Sequence, residues 1–115
     1  MSDTPKKTTS EELFSVLDGQ GIASCYGRNK KPMTLPFAVV LGAGQQQTFC
    51  DNTVFSKKNN YTVEYYFAEK SAEKEDALES AFLQNGFIYG KSDDTYIETE
   101  NVFVIYYTVW RKQYE

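Results

Sequence analysis

Tyr61-Thr-Val-Glu-Tyr-Tyr-Phe-Ala68, followed after Glu69-Lys70 by Ser71 and then by Ala72–Asn85, is the stretch from which the fold can be read. Tyr61, Val63, Tyr65 and Phe67 alternate with Thr62, Glu64, Tyr66 and Ala68. That period of two predicts a strand with one apolar face. Ser71 is a good N-cap. Glu73, Glu75 and Asp76 follow it, where a helix dipole favours anions. Leu78, Ala81 and Phe82 then recur at helical spacing, and Gly86 supplies a stop. A helix with one apolar stripe needs a surface to cover. The spacing therefore predicts a helix over 72–85 packed on the sheet, with Leu78 and Phe82 against Val63, Tyr65 or Phe67.

Working outward, Phe87-Ile-Tyr89 starts another strand, Ser92-Asp-Asp94 turns it, and Thr95 onward returns. Val102–Trp110 is so rich in β-branched and aromatic residues that it reads as a central strand covered on both faces. On the N-terminal side, Thr9 and Glu12 fit a capping box. Leu13, Val16 and Leu17 form the stripe of a short helix that Gly19 and Gly21 end. Ala23–Tyr26 suits a brief strand. Phe37–Leu41 is an apolar strand, Gly42-Ala-Gly44 reads as a hairpin connection, and Gln45–Phe49 as the returning strand. Asp51-Asn52 reads as a second turn and Lys57–Asn60 as a polar turn. Strands are thus expected near 37–41, 61–68, 87–91 and 96–110. The expectation is an α+β fold: a small mixed or antiparallel sheet, one main helix packed on a face, and a short N-terminal helix. Residues 1–9 read as a flexible arm and 10–115 as a single domain.

The 115 residues are enough for one core and too few for two. Aromatics make up 16%, with nine Tyr and eight Phe, which excludes disorder for the body of the chain. Twelve basic and sixteen acidic residues give a net charge of −4, without the basic footprint of a nucleic-acid binder. The short basic run Arg28-Asn-Lys-Lys31 reads as a solvated loop. No apolar run approaches the roughly 20 residues of a membrane span, and Met1–Thr9 lacks a signal-peptide pattern. A cytoplasmic origin is expected, with Cys25 and Cys50 reduced and partly buried.

The chain has no histidine. That removes the usual base near neutral pH and the common Ser-His and Cys-His arrangements. Two cysteines without histidine make no common zinc site. No metal and no cofactor are expected, and no catalytic residue is assigned. Gly42-Ala-Gly44 feeds no helix, so it is not a phosphate cradle. Glu98 and Glu100, two apart on an expected strand, would share a face. With Asp93 and Asp94 they make an acidic patch, but their neighbours Thr95, Thr99 and Asn101 are polar, unlike the apolar cleft of a carboxylate pair. The acidic helix face reads as solvated. The excess of tyrosine favours assembly.

From Leu35 to Trp110 the order of features resembles the small tail-terminator, or tail-completion, proteins of long-tailed bacteriophages. The matching pieces are Leu35-Pro-Phe-Ala-Val-Val, Asp51-Asn-Thr-Val, Tyr61–Lys70, the acidic helix at Glu75–Glu79, Tyr96-Ile-Glu-Thr-Glu100 and the aromatic last strand. The resemblance implies a structural virion protein that acts in the tail or neck and is assembled in the host cytoplasm. It implies a ring, commonly a hexamer, that caps the tail tube and joins it to the head connector or stopper. The implied partners are copies of the chain, the tail-tube protein and the connector; DNA passes through without specific binding, and no membrane is involved. For such a ring, Gly42, Ala43, Gly44, Gln45, Gln46, Asp51, Asn52 and Val54 are the candidate subunit or tube contacts. Asp93, Asp94, Glu98 and Glu100 are the candidate lumen or rim patch. The competing readings are a monomeric adaptor or inhibitor in the bacterial cytoplasm, and a small enzyme using carboxylates alone.

Overall fold

The alternating stretch at Tyr61–Ala68 forms the inner half of one long strand. The computed structural model describes the backbone of residues 9–27, 34–50 and 53–114, and the side chains of 9–27, 34–43 and 60–111. Along the chain come α1 (Thr9–Gly19), β1 (Ala23–Tyr26), β2 (Phe37–Cys50), β3 (Thr53–Phe67), α2 (Ala72–Gln84), β4 (Ile88–Lys91), β5 (Thr95–Ile97) and β6 (Val102–Tyr114). The fold is α+β, with a mixed sheet in the order β1-β2-β3-β6-β4 and β5 alongside β6. Only β1 and β2 pair in parallel; the remaining pairs are antiparallel. β3 and β4 both run against β6, so they are parallel to each other and α2 is the crossover between them. β5 and β4 follow each other along the same side of β6, at Val102–Val104 and Tyr107–Trp110. Ser92 carries the ladder across the gap: its N–H donates to Tyr106 O, and its Oγ accepts from Tyr106 N, both at 2.9 Å.

Both helices cover one face of the sheet. Leu13, Val16 and Leu17 of α1 join Leu78, Ala81 and Phe82 of α2 over Ala38, Val40, Val63, Tyr65, Phe67, Ile105, Tyr107 and Val109. The expected contact between the α2 stripe and Val63, Tyr65 and Phe67 lies within this core. Phe82 meets Tyr107 edge-on, with ring centroids 5.6 Å apart. The Ser71 cap is formed as its sequence requires, its Oγ accepting from Lys74 N at 3.3 Å. Gly86, at φ +82°, takes the left-handed conformation that ends the helix.

Four local expectations need correction. Gly42-Ala-Gly44 is no turn: it lies inside β2, which runs unbroken to Cys50. The glycine instead marks a register shift between Gly42 and Gln45 and leaves room for Tyr26, whose hydroxyl would stand 2.9 Å from a Cβ at position 42. The hairpin therefore reverses between Cys50 and Thr53 rather than at Gly42–Gln46. Lys57–Asn60 is also strand, because β2 and β6 flank β3 there and ladder pairing outweighs local propensity. Glu98–Asn101 forms a turn between β5 and β6, with Asn101 at φ +56°, so Glu98 and Glu100 do not share a strand face. Finally, β6 is flanked by strands on both sides, but its second face is open at Tyr106 and Thr108, which are exposed, and closed at Val104, which is fully buried. At the N-terminus, Thr9 belongs to α1 and is buried; residues 1–8, the rest of the expected arm, lie outside the described residues.

Candidate functional site

Three places in the molecule bear on function: a polar cluster under α2, the uncovered face of the sheet, and the long arm of β2, β3 and β6.

The polar cluster begins with Glu75 and Glu79, one turn apart on α2. The Glu75 side chain is only 4% exposed, and its Oε1 accepts from Lys70 at 2.8 Å and Lys91 at 3.0 Å. Its other oxygen, Oε2, is buried and accepts no hydrogen bond. Glu79 Oε2 accepts from Tyr107 and Lys91, each at 2.8 Å, and its Oε1 from Tyr89 at 3.1 Å. Lys70 also reaches Asp94 at 2.9 Å. The cluster therefore ties α2 to β4, to β6 and to the β4–β5 connection. Burial would raise the Glu79 carboxyl, but hydrogen bonds from Lys91, Tyr107 and Tyr89 outweigh it and hold the group below its ordinary range. The same bond to Glu79 drives Lys91 well above the ordinary lysine range. Burial, then Glu79, does the same to Tyr107. A proton-transfer group works best when it titrates near the operating pH; Glu79, Lys91 and Tyr107 are pushed away from neutrality. The arrangement fastens the helix to the sheet. It also corrects the reading of the acidic helix as a solvated face: Glu73 and Asp76 are exposed, whereas Glu75 and Glu79 are turned inward. The signal that could have shown this is their four-residue spacing, together with Leu78 and Phe82, on the core-facing side.

The uncovered face carries the residues that alternate with the core. Phe37, Val39 and Leu41 of β2 lie beside Tyr66, Glu64 and Thr62 of β3. Those three in turn lie beside Val104, Tyr106 and Thr108 of β6. None of the nine belongs to the helix-side core. Phe37 and Tyr66 stack at 4.8 Å between ring centroids. At the β4 margin Ile88 is 53% exposed. Cys25, a free thiol on β1, lies beside Val39 at the other margin, and burial raises its pKa. The side chain of Cys50 lies outside the described residues.

The arm is the continuation of β2, β3 and β6 beyond the rung Asn59↔Arg111, where Arg111 pairs with Glu12 of α1. β2 and β3 continue to Cys50↔Thr53, and β6 to Tyr114 opposite Ser56. The molecule is accordingly long, 51 × 30 × 29 Å. β1 pairs with β2 only at Phe37–Val40. From Leu41 to Cys50 the outer edge of β2 pairs with no strand among the described residues. Ten residues at about 3.3 Å each make this edge about 33 Å long. On the opposite side of the arm, β6 from Arg111 to Tyr114 pairs with no strand among the described residues, past the last rung with β4, Ile88↔Trp110.

The sequence-derived candidates fall as follows. Gly42, Ala43, Gly44, Gln45 and Gln46 line the free edge of β2, and Val54 lies on β3 near the hairpin end. Asp51 and Asn52 lie outside the described residues, as does the basic run Arg28–Lys31. Asp93 and Asp94 sit in the β4–β5 connection and Glu98 and Glu100 in the β5–β6 turn; all four are exposed. Among the described residues no group of three or more His, Cys, Asp or Glu is placed to hold a metal ion, and no helix is long and apolar enough to cross a membrane. The chain matches no protein-family model and no curated protein.

Proposed function

We propose that the chain is a structural subunit that assembles head to tail into a ring, the ring terminating a phage tail tube and joining it to the head connector. The observation that carries the reading is the outer edge of β2, which from Leu41 to Cys50 pairs with no strand among the described residues. Exposed edges are ordinarily blunted by charged side chains, proline or a covering segment, because an open ladder recruits another strand. Phe37–Cys50 contains no charged residue and no proline. An edge of this length without charge or proline suits strand addition by a partner.

A ring needs two different patches on each subunit that fit one another. The free edges of β2 and β6 lie on opposite sides of the same three-stranded arm, so one copy can offer β2 while its neighbour offers β6. The mild negative charge and the absence of a basic footprint suit a ring through which DNA passes without sticking. In this reading Asp93, Asp94, Glu98 and Glu100 face the lumen or its rim, and the working place of the protein is the virion neck. The sequence resemblance supports the tail as the place of action, and the edge geometry supports strand addition as the mode of assembly.

Replacing Gln45 and Gln47 by Lys puts two charges on the open edge and tests the proposal. The expected result is an unchanged far-UV spectrum with loss of the oligomer, and over-long tails in phage carrying the variant. An oligomer that survives the double substitution would remove the edge from the interface.

A further inference from the structure

Glu64 is the single charged residue among the described side chains of the uncovered sheet face. It sits mid-strand in β3, with Val39 across one ladder and Tyr106 across the other. Its Oε1 accepts from the Tyr66 hydroxyl at 2.9 Å. No basic side chain pairs with it among the described residues, and the residue is half-buried. Around it stand Phe37 and Tyr66, stacked on each other, and Tyr106, 40% exposed. A carboxylate in the middle of a strand is costly to cover unless the covering surface brings a cation. An apolar surface lacking one would strand the charge, and an acidic one would be repelled.

We propose that this face is a docking surface for a partner protein that presents an arginine from an apolar surface, with Glu64 receiving the guanidinium. Two features select the occupant. The first is charge: one anion and, among the described side chains, no cation on a field of Phe37, Val39, Leu41, Tyr66 and Tyr106 calls for a single basic group among apolar ones. The second is shape: a flat guanidinium can lie against a tyrosine ring while donating to a carboxylate, which an ammonium does less well. The face is distinct from the arm edges, and its composition would be the same in a monomer, so the inference does not depend on ring assembly.

The probe is an acetylated Leu-Arg-Leu amide, titrated into the full chain and followed by the NMR resonances of the Phe37, Tyr66 and Tyr106 rings. Saturable shifts confined to these rings are expected. Citrulline in place of arginine keeps the shape and removes the charge, and it should weaken binding about tenfold, the scale of one charge-assisted hydrogen bond. Glu64→Gln should do the same while leaving the melting temperature near that of the parent. Absence of saturation at the solubility limit, shifts elsewhere, or citrulline binding within about twofold of arginine would each overturn the proposal. Sedimentation of the parent and of Glu64→Arg separates a further occupant. Self-association that Glu64→Arg abolishes would put a second copy on this face and overturn the assignment to a different protein.

Discussion

Glu79→Gln is the sharpest perturbation of the fold. The carboxylate accepts from Tyr107, Lys91 and Tyr89, and Tyr107 is fully buried. Glutamine has one acceptor oxygen, so it can serve Tyr107 and Lys91 only by turning its amide toward Tyr89, whose hydroxyl then has to accept. The charge is lost in either case. Lys91 keeps Glu75 at 3.0 Å, so the substitution leaves no buried cation alone. The cost is then that of the charge-assisted bonds, about 1.5–3 kcal/mol, or a fall in Tm of about 6–20 °C for a domain of this size. The pH dependence supplies a second test. The folded Glu79 pKa lies below the reference 4.5, so its contribution is fully present above about pH 4.5 and is lost as pH falls through the folded value. Differential scanning calorimetry of parent and variant from pH 7 to pH 3 should show a gap that closes at the acid end. A variant as stable as its parent at pH 7, or a gap that stays constant down to pH 3, would refute the assignment of Glu79 as the fastener of α2.

Two other predictions follow from burial and exposure. Leu78 is fully buried beneath α2, and Leu78→Ala should cost about 2–5 kcal/mol in chemical denaturation; an unchanged midpoint would take the helix out of the core. Glu98 and Glu100 sit in an exposed turn, so Glu98→Lys with Glu100→Lys should alter stability by no more than about 0.5 kcal/mol per site. In phage that double variant should give tails of normal length with slowed DNA delivery if the residues face the lumen, whereas over-long tails would place them in a subunit contact.

The fold class was legible because its strongest signals were local and mutually consistent. The alternation at Tyr61–Phe67, the Ser71 cap, the Leu78-Ala81-Phe82 stripe and the Gly86 stop each use one element's own geometry, and the structure repeats them. Misreadings arose where a partner strand overrode local propensity. Lys57-Lys-Asn-Asn60 has the composition of a turn, yet rungs on both sides hold it extended. Gly42 and Gly44 look like a hairpin tip, but Gly42 serves the approach of Tyr26 and a shift of register. Of the candidate site, the sequence points to Gly42–Gln46 as the tip of a hairpin, whereas the structure places it along the side of β2. The inward turn of Glu75 is concealed because a carboxylate in a first helical turn also suits the dipole; that of Glu79, farther along α2, shows only in its four-residue spacing from Glu75. The pairing of Glu64 with Tyr66 across two positions of one strand had no sequence signature apart from their shared face.

Native mass spectrometry of the intact chain, over a range of concentrations and beside the Gln45→Lys, Gln47→Lys variant, tests head-to-tail assembly through the arm most directly. A closed oligomer of one defined size, a hexamer if the resemblance to tail terminators holds, is expected for the parent, with monomer alone for the variant. A parent that stays monomeric at every concentration, and also in the presence of purified tail tubes, would contradict it.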